Sequence, residues 1–195
     1  MRVLVACEYS GTVRDAFIGA GHQAFSCDLL DSETPGPHYK GDVMDIIDEG
    51  WDLMIAHPPC TYLANSGVSW LYRKENRWQN LIEGAVFFRT LLNYEIPKIA
   101  VENPVMHKWA RKIVGRGPDF TVQPWQFGHK EKKRTCFWTK NLPELKPTEN
   151  VKKEMEKLPE SEQQKKHYMP PGPDRQKERS RFFEGIAQAM VEQWA

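Results

Sequence analysis

Short apolar segments that stop abruptly at polar or turn-forming residues recur along the first hundred positions of the chain. Residues 2–7, 22–27, 51–57 and 97–101 form four such segments, each five to seven residues long. Apolar segments of this length predict buried strands rather than helices. Pro58 and Pro59 end the third strand, because proline cannot donate a hydrogen bond to a sheet ladder.

A second pattern, in which apolar residues recur every three or four positions, predicts three helices. The first follows the first strand and ends near Gly19 and Gly21, the second covers residues 80–92, and the third covers residues 181–194. Residues 120–138 predict two short strands around a turn at Gly128, and residues 31–41 have the composition of a loop. The apolar stripes of the three helices are Val13, Ala16, Phe17 and Ala20; Leu81, Ala85, Phe88 and Leu92; and Phe182, Ile186, Met190 and Trp194.

The alternation of strands and helices predicts an α/β fold, with a mostly parallel central sheet and helices on both faces. Ligands of such sheets bind beyond the carboxyl ends of the strands. Residues 141–178 are polar with little apolar periodicity, and we interpret them as a short, loosely packed excursion from a single domain covering residues 1–195. Polar motifs follow the predicted strands at Ser10-Gly11, Asp28, Pro58-Pro59-Cys60 and Glu102-Asn103.

Composition narrows the class of protein. The chain has 195 residues, 40% of them hydrophobic, and a mean hydropathy of -0.64, which suit one domain with its own core. The apolar run near the start is too short for a signal peptide or a membrane span, so we expect a cytoplasmic protein without a membrane partner.

The four cysteines are widely spaced and form no Cys-x-x-Cys pair. This spacing argues against a zinc site and against a disulfide framework, and we predict no bound metal. Cys7, Cys27 and Cys136 are interpreted as small buried side chains. Cys60 differs from them, because it lies on a rigid turn at the carboxyl end of a predicted strand.

The charge of the chain is unevenly distributed. Residues 1–106 contain 8 Lys and Arg against 14 Asp and Glu, a balance of -6, whereas residues 107–140 contain 9 against 2, a balance of +7. The basic segment 107–140 is therefore a candidate phosphate-facing surface, with an ordinary solvated face as the alternative that charge alone would favour.

Cys60 and Glu102 together suit one particular chemistry. A thiolate is a good nucleophile, and a carboxyl group in a partly dry cleft can act as an acid near neutral pH. Addition of a thiolate to C6 of cytosine, with protonation of N3, breaks the aromaticity of the ring. C5 then has enamine character and can accept a methyl group, after which a base removes the C5 proton and the thiol leaves.

These residues resemble the motifs of the DNA cytosine C5-methyltransferase family. The Pro-Cys motif of the family appears as Pro59-Cys60, and its Glu-Asn motif as Glu102-Asn103. Tyr9-Ser10-Gly11 resembles the first cofactor loop, Phe127-Gly128 opens a segment similar to the Gln-x-Arg-x-Arg motif, and residues 179–194 resemble the last motif. The resemblance spans most of residues 2–140 and then 179–195.

The resemblance implies a Rossmann-like fold, S-adenosylmethionine as cofactor, and methylation of cytosine in DNA through a covalent adduct of Cys60. The catalytic residues it implies are Cys60, Glu102, Asn103, Lys133 and Arg134. The cofactor-binding residues it implies are Tyr9, Ser10, Gly11, Thr12, Asp28, Asp42, Pro59 and Ser180.

The chain departs from the family pattern in three places. Val13 and Arg14 replace the later glycines of the first loop. Lys133 stands where the family has the first arginine of its Gln-x-Arg-x-Arg motif, and Arg134 fits that motif only if the register shifts by one. Residues 141–178 are too few for a base-reading domain, so we expect weak sequence recognition, recognition supplied by a partner protein, a single-stranded substrate, or a free nucleotide.

Two further hypotheses remain open. The same thiolate chemistry could modify a free pyrimidine nucleotide or transfer another group, or the chain could be a nucleic-acid-binding protein without turnover. A zinc deaminase fits poorly, because the His-x-Glu and Pro-Cys-x-x-Cys motifs are absent from the sequence. An amino-group methyltransferase also fits poorly, because such enzymes have an aromatic residue in place of Cys60. Trp70 is the best candidate for stacking a base, and His57 is either structural or tunes the Cys60 thiolate.

Overall fold

A seven-stranded sheet forms the centre of the computed structural model, which describes residues 1–172 and 175–195. The strand order in the described residues is β3-β2-β1-β4-β5-β7-β6. The first five strands in this order are parallel, and β7 runs antiparallel to both of its neighbours. The strands are β1 (Arg2–Ala6), β2 (Gln23–Asp28), β3 (His38–Lys40), β4 (Leu53–Ala56), β5 (Lys98–Asn103), β6 (Phe120–Val122) and β7 (Thr135–Lys140).

Helices cover both faces of this sheet. Helices α2 and α3 pack on one face, and α1 and α8 pack together on the other. Shorter 3₁₀ turns occupy Val43–Asp45, Asn65–Tyr72 and Pro124–Gln126. The helices of the described residues are α1 (Thr12–Gly19), α2 (Arg77–Leu92), α3 (Lys108–Val114), α4 (Lys152–Met155), α5 (Glu160–Gln163), α6 (Lys165–Tyr168), α7 (Arg175–Ser180) and α8 (Glu184–Trp194).

The central strands are buried on both sides, which explains their unbroken apolar sequences. In β1, Val3 and Val5 pack against α1 and α8, whereas Leu4 and Ala6 pack on the face covered by α2. A strand covered on both faces has no solvent-facing positions, so its sequence does not alternate. The predicted α/β fold with helices on both faces is therefore confirmed.

Three details of the sequence prediction were wrong. Residues 31–41 are not wholly loop, because His38–Lys40 pairs with β2 as an edge strand. Helix α3 was not predicted, and α2 begins three residues earlier than expected, at Arg77. The predicted pair of short strands around a turn at Gly128 is confirmed, although the connection from β6 to β7 runs over residues 123–134 and also contains a 3₁₀ turn.

The segment interpreted as a polar excursion contains packed residues. Helices α4, α5 and α6 lie within it, and Leu145, Val151 and Met155 are buried there. Glu149 forms an isolated bridge with Phe127, which ties the segment to the connection between β6 and β7. No helix of the described residues is long and apolar enough to cross a membrane.

Candidate active site

Cys60 lies just beyond the carboxyl end of β4, on a turn fixed by the chain around it. The amide of His57 donates to the Ala6 carbonyl at 2.9 Å, which extends the pairing of β4 with β1 by one residue. The amides of Leu63 and Ala64 donate to the Cys60 carbonyl at 3.0 and 2.9 Å. The backbone of Cys60 is therefore held on both sides, while its side chain remains exposed to solvent.

Glu102 lies on the adjacent strand, directly beside this turn. Ala56, the last residue of β4, pairs in register with Val101 of β5. The residues that follow them, His57 and Glu102, are therefore neighbours. His57 Nδ1 lies 3.2 Å from Glu102 Oε2, and the ring of Phe182 packs on the imidazole with 4.7 Å between ring centroids. The structure thus pairs His57 with the carboxylate rather than with the Cys60 thiol.

Asn103 ties the Cys60 turn to β5. Its side-chain amide donates to the Pro58 carbonyl at 3.2 Å, and the whole side chain is buried. Asn103 Oδ1 and His57 Nε2 are buried without a hydrogen-bond partner among the described residues. Unsatisfied buried polar atoms are costly, so their presence at this edge of the sheet is consistent with a site that receives a polar ligand.

Two opposing influences act on the Cys60 thiol. Desolvation by the surrounding protein and then the Glu102 carboxylate raise its pKa, whereas the charges of Lys133 and Arg179 partly lower it. The balance leaves the pKa above the ordinary value of a cysteine, so most of the thiol is protonated at neutral pH in the free protein. Burial also raises the pKa of Cys27 to about 12 and that of Cys136 to about 11.

Thiol labelling should distinguish Cys60 from the other cysteines. We expect iodoacetamide to modify Cys60 first in the native protein, because only the thiolate reacts. Cys27 and Cys136 are buried, and the pKa of the partly exposed Cys7 is raised by burial of its thiol and by Asp28 and Asp42. The rate should increase with pH up to and beyond pH 9, because the pKa of Cys60 is raised and its thiolate appears only as the pH approaches that value. Peptide mass spectrometry after timed quenching measures each site. Labelling of Cys136 at the rate of Cys60 would contradict the described burial.

Two lysine side chains, Lys133 and Lys166, bind the C-terminal segment at the candidate site. Lys133 Nζ donates to the Arg179 carbonyl at 3.1 Å, and Lys166 Nζ donates to the Arg181 carbonyl at 2.6 Å. Both ammonium groups lie over the ring of Phe183. Burial, followed by the nearby charge of Lys133, lowers the pKa of Lys166 to about 8. A cationic cluster therefore faces Cys60 and Glu102.

Only one of the two basic residues predicted from the Gln-x-Arg-x-Arg resemblance is near the thiol. The charge of Lys133 acts on Cys60. Arg134 is exposed, and its charge acts on Cys136 of β7 instead. Lys166, which the sequence analysis did not single out, contributes to the same cationic cluster as Lys133.

The loop after β1 is held by a buried glutamate. Glu8 Oε1 accepts from the Val13 amide at 2.7 Å and from the Ser10 hydroxyl at 3.2 Å, and Oε2 accepts from the Arg14 amide at 3.2 Å. Glu8 thereby satisfies free amides at the start of α1, where a negative charge is favourable. Gly11 has a φ of 77°, a conformation that glycine adopts without strain.

Asp28 and Asp42 lie close together at the same edge of the sheet. Their charges add to burial in raising the pKa of the Cys7 thiol, which lies near both carboxylates. Each uses one oxygen for a local turn: Asp28 Oδ1 accepts from the Leu30 amide, and Asp42 Oδ1 from the Met44 amide, both at 3.0 Å. The second oxygen of each carboxylate has no hydrogen-bond partner among the described residues.

Tyr9 joins the first loop to the C-terminal segment. Its hydroxyl lies 2.7 Å from Ser180 Oγ and donates to the Lys177 carbonyl at 2.6 Å. Glu33 forms ion pairs with Lys177 at 2.7 Å and with Arg181 at 3.0 Å. The structure therefore brings together Tyr9 and Ser180, two predicted cofactor residues that are far apart in the sequence.

A cavity of about 480 Å³ lies beside the first loop, between α1 and α8. Ser10 and Thr12 line it, whereas Asp28, Asp42 and Ser180 do not. Pro59 lines a separate cavity of about 300 Å³ against α2. The predicted cofactor residues thus lie along one edge of the sheet but do not line a single cavity. Within residues 1–172 and 175–195, no three His, Cys, Asp or Glu side chains are arranged to hold a metal ion.

Comparisons with known proteins bear on the fold. No protein-family model and no curated protein matches the sequence. A solved structure described as a DNA modification methyltransferase from an E. coli prophage is 16% identical, with 82% of this chain and 55% of that chain covered at a TM-score of 0.50. The Entamoeba histolytica methyltransferase EhMeth is 14% identical, with 77% of this chain and 57% of that chain covered at a TM-score of 0.51. The chain spans just over half the length of each neighbour and shares with them the Rossmann-like methyltransferase fold.

Proposed function

We propose that this protein transfers a methyl group from S-adenosylmethionine to C5 of cytosine in DNA, through a covalent adduct between Cys60 and C6. One observation carries the proposal. The turn that carries the exposed Cys60 thiol follows β4, and it is tied through Asn103 to the end of the adjacent parallel strand β5, which carries Glu102. A nucleophile beside a carboxyl group, at the edge of the sheet where ligands bind, is the arrangement that the reaction requires.

The residues of the site have distinct roles in the proposed reaction. Cys60 releases its proton to solvent and adds to C6 as the thiolate, while Glu102, in its protonated form, donates a proton to N3. S-adenosylmethionine, when bound, would supply the methyl group for C5 and leave as S-adenosylhomocysteine. A base then removes the C5 proton, the bond from Cys60 to C6 breaks, and N3 returns its proton to Glu102. One proton is released overall, and Lys133 stabilises the Cys60 thiolate at the start and end of the cycle.

The polar groups at this edge fit the proposed cofactor. The ribose hydroxyls and the amino groups of S-adenosylmethionine are hydrogen-bond donors, and Asp28 and Asp42 each retain one carboxylate oxygen to accept from them. The same two carboxylates favour positive charge nearby, as their effect on the pKa of Cys7 indicates. A sulfonium cofactor carries such a charge. Ser10, Gly11 and Thr12 provide the loop beside the cavity between α1 and α8.

DNA is the proposed substrate because of the charge around the site. Lys133 is close enough to influence the Cys60 thiol, and Lys166 lies beside Lys133 over the Phe183 ring. The basic segment 107–140 contains both Lys133 and helix α3. In the part of the chain that the structure describes, the segment between β7 and α8 contains only the short helices α4 to α7. We therefore propose weak sequence selectivity, with further recognition supplied by a partner protein where the target requires it.

A trapping assay tests the mechanism directly. The protein is incubated with S-adenosylmethionine and oligonucleotides that contain 5-fluorocytosine, and products are analysed by denaturing gel and mass spectrometry. Fluorine at C5 cannot leave as a proton does, so the adduct on Cys60 should accumulate. The Cys60→Ala variant should form no adduct, whereas a Cys136→Ala control should form it normally.

The same assay separates the competing hypotheses. Transfer of labelled methyl to free pyrimidine nucleotides, without label in DNA, would overturn the proposed substrate but keep the thiolate chemistry. Cofactor binding without an adduct or a methylated product, in either DNA or nucleotide, would show a binding protein and overturn the proposed reaction.

A further inference from the structure

Three aromatic rings form a continuous row beside the segments that follow Cys60 and Asn103, and a fourth ring, Trp70, lies on the same 3₁₀ turn as the first of them. Tyr72 and Trp78 pack edge to face with 5.7 Å between centroids, and Trp78 packs on Trp109 with 6.0 Å between centroids. Trp70 precedes them on the 3₁₀ turn Asn65–Tyr72. We refer to these four rings and the lysines above them as the aromatic–basic surface.

The lysines of this surface lie on the faces of the rings. Lys74 Nζ is 4.9 Å from the Trp70 ring, and Lys108 and Lys112 lie 5.0 and 4.7 Å from the Trp109 ring. Residues 107–116 contain four Lys and Arg and no Asp or Glu. The surface therefore combines positive charge with aromatic faces in one place.

The rings are exposed to an unusual extent for their size. Tyr72 is 75% exposed, Trp70 44% and Trp78 37%. Adjacent exposed apolar groups of this size mark interaction sites more often than they mark ordinary surface. Trp109 is partly buried and packs against the core cluster that contains Leu71 and Leu81, whereas the other three rings are not part of that cluster.

Two connections join the surface to the catalytic edge of the sheet. Ala64, four residues after Cys60, forms a bridge with Met106, three residues after Asn103. The Asn65 amide donates to the Val105 carbonyl at 2.8 Å, and the His107 amide donates to the Leu63 carbonyl at 2.7 Å. The turn carrying Trp70 and Tyr72 and the helix carrying Trp109 therefore both extend directly from the two segments that hold Cys60 and Glu102.

We infer that the aromatic–basic surface binds a single-stranded segment of nucleic acid that flanks the target base. Unpaired bases expose the faces that stack on aromatic side chains, whereas paired bases hide theirs within the duplex. Lysines beside the rings neutralise the phosphates between stacked bases. The inference of a flanking strand rests on the proposed function, but strand binding itself is measured independently of it.

The test measures binding without any turnover. Fluorescence anisotropy follows a labelled 12-nucleotide cytosine-containing DNA strand, and the same sequence as a duplex, at several salt concentrations. We expect tighter binding of the strand, and a weakening of about tenfold or more in a Trp70→Ala/Tyr72→Ala variant, because each stacked base contributes substantially. A Lys108→Gln/Lys112→Gln variant should reduce the slope of log affinity against log salt by about 1.4, since each phosphate contact contributes about 0.7.

Matched controls keep the result interpretable. Phe25 is a similarly exposed ring on β2, in the other half of the sheet, and Phe25→Ala should bind the strand as the unchanged protein does. Circular dichroism confirms that the variants fold. The inference would be overturned if both surface variants bound the strand with unchanged affinity, or if the protein preferred the duplex. It would also be overturned if the variants bound the strand normally and lost only the binding of phosphatidylglycerol vesicles.

The two proposals fail in distinguishable ways. If the trapping assay gives no adduct but the surface variants still lose strand binding, the proposed reaction is wrong and the surface is a nucleic-acid site without this chemistry. If the adduct forms while strand affinity is unchanged in the surface variants, the reaction stands and the target strand binds elsewhere.

Discussion

Replacing Cys60 with alanine is expected to reduce methyl transfer to cytosine by about 10⁴-fold or more, the scale of loss seen when a catalytic nucleophile is removed. The physical reason is that C5 becomes nucleophilic only after addition at C6, and no other described thiol can replace Cys60. Cys7 is partly exposed rather than buried as predicted, but burial of its thiol and the charges of Asp28 and Asp42 raise its pKa. Cys27 and Cys136 are buried, and the pKa of each is raised to about 12 and about 11. Transfer of tritiated methyl from S-adenosylmethionine to DNA measures the rate.

The control for this prediction is a conservative change at a buried thiol. Cys136→Ala should retain transfer within a few-fold, although Cys136 is paired with Asn103 across β5 and β7. Equilibrium dialysis should show unchanged cofactor affinity in Cys60→Ala, because the predicted cofactor residues other than Pro59 lie on other segments. Substantial transfer by Cys60→Ala would rule out the covalent mechanism.

The strands and their polar ends were predictable because a strand buried on both faces has an unbroken apolar sequence. A strand such as β1 or β4 is apolar throughout, and a polar residue directly after it lies at the carboxyl edge of the sheet. Cys60 and Glu102 were placed at that edge by this reasoning alone. Strand β3 and helix α3 show no such apolar pattern. Strand β3 has only three residues, none of them buried, and α3 is short and basic.

The contacts between these residues could not be predicted from the sequence. The pairing of His57 with Glu102 depends on the register of β4 against β5, which aligns Ala56 with Val101. The choice between Lys133 and Arg134 likewise depends on the path of the connection from β6 to β7. Adjacent residues at the start of a strand point in different directions, so a one-residue ambiguity in a motif decides which charge faces the thiol.

Arg14 stands where the resembling family has a glycine in its first loop, and the structure explains this replacement. The Arg14 side chain is fully buried, and its guanidinium lies against Gly11 of the first loop. Its guanidinium donates to the hydroxyls of Ser26, Ser32 and Thr34 and to the Thr34 carbonyl, and it pairs with Asp15 at 2.8 Å. Arg14 therefore fixes the segment after β2 against α1, and Thr34 of that segment lines the cavity beside Ser10.

Replacing Arg14 with alanine is accordingly expected to lower the free energy of unfolding by about 3–5 kcal/mol, as breaking a buried, fully bonded ionic group does. The loss has two sources, because the change opens a cavity and removes the donors to several hydroxyl and carbonyl groups at once. Arg14→Lys should lose less stability, since it keeps the charge but not the planar fork. Urea unfolding followed by circular dichroism measures both changes.

Arg111 provides the matched control, because it is an arginine exposed on α3, and Arg111→Ala should change the free energy of unfolding by no more than about 0.5 kcal/mol.

The position of Arg14 also predicts an effect on cofactor binding that a change in stability alone does not produce. Below its unfolding temperature, Arg14→Lys should bind S-adenosylmethionine more weakly, because the segment carrying Thr34 is no longer held against the first loop. Full stability in Arg14→Ala would show that the hydrogen bonds of the guanidinium contribute nothing to the fold. Weakened cofactor binding in a fully folded Arg14→Lys would instead place the held segment in the cofactor site.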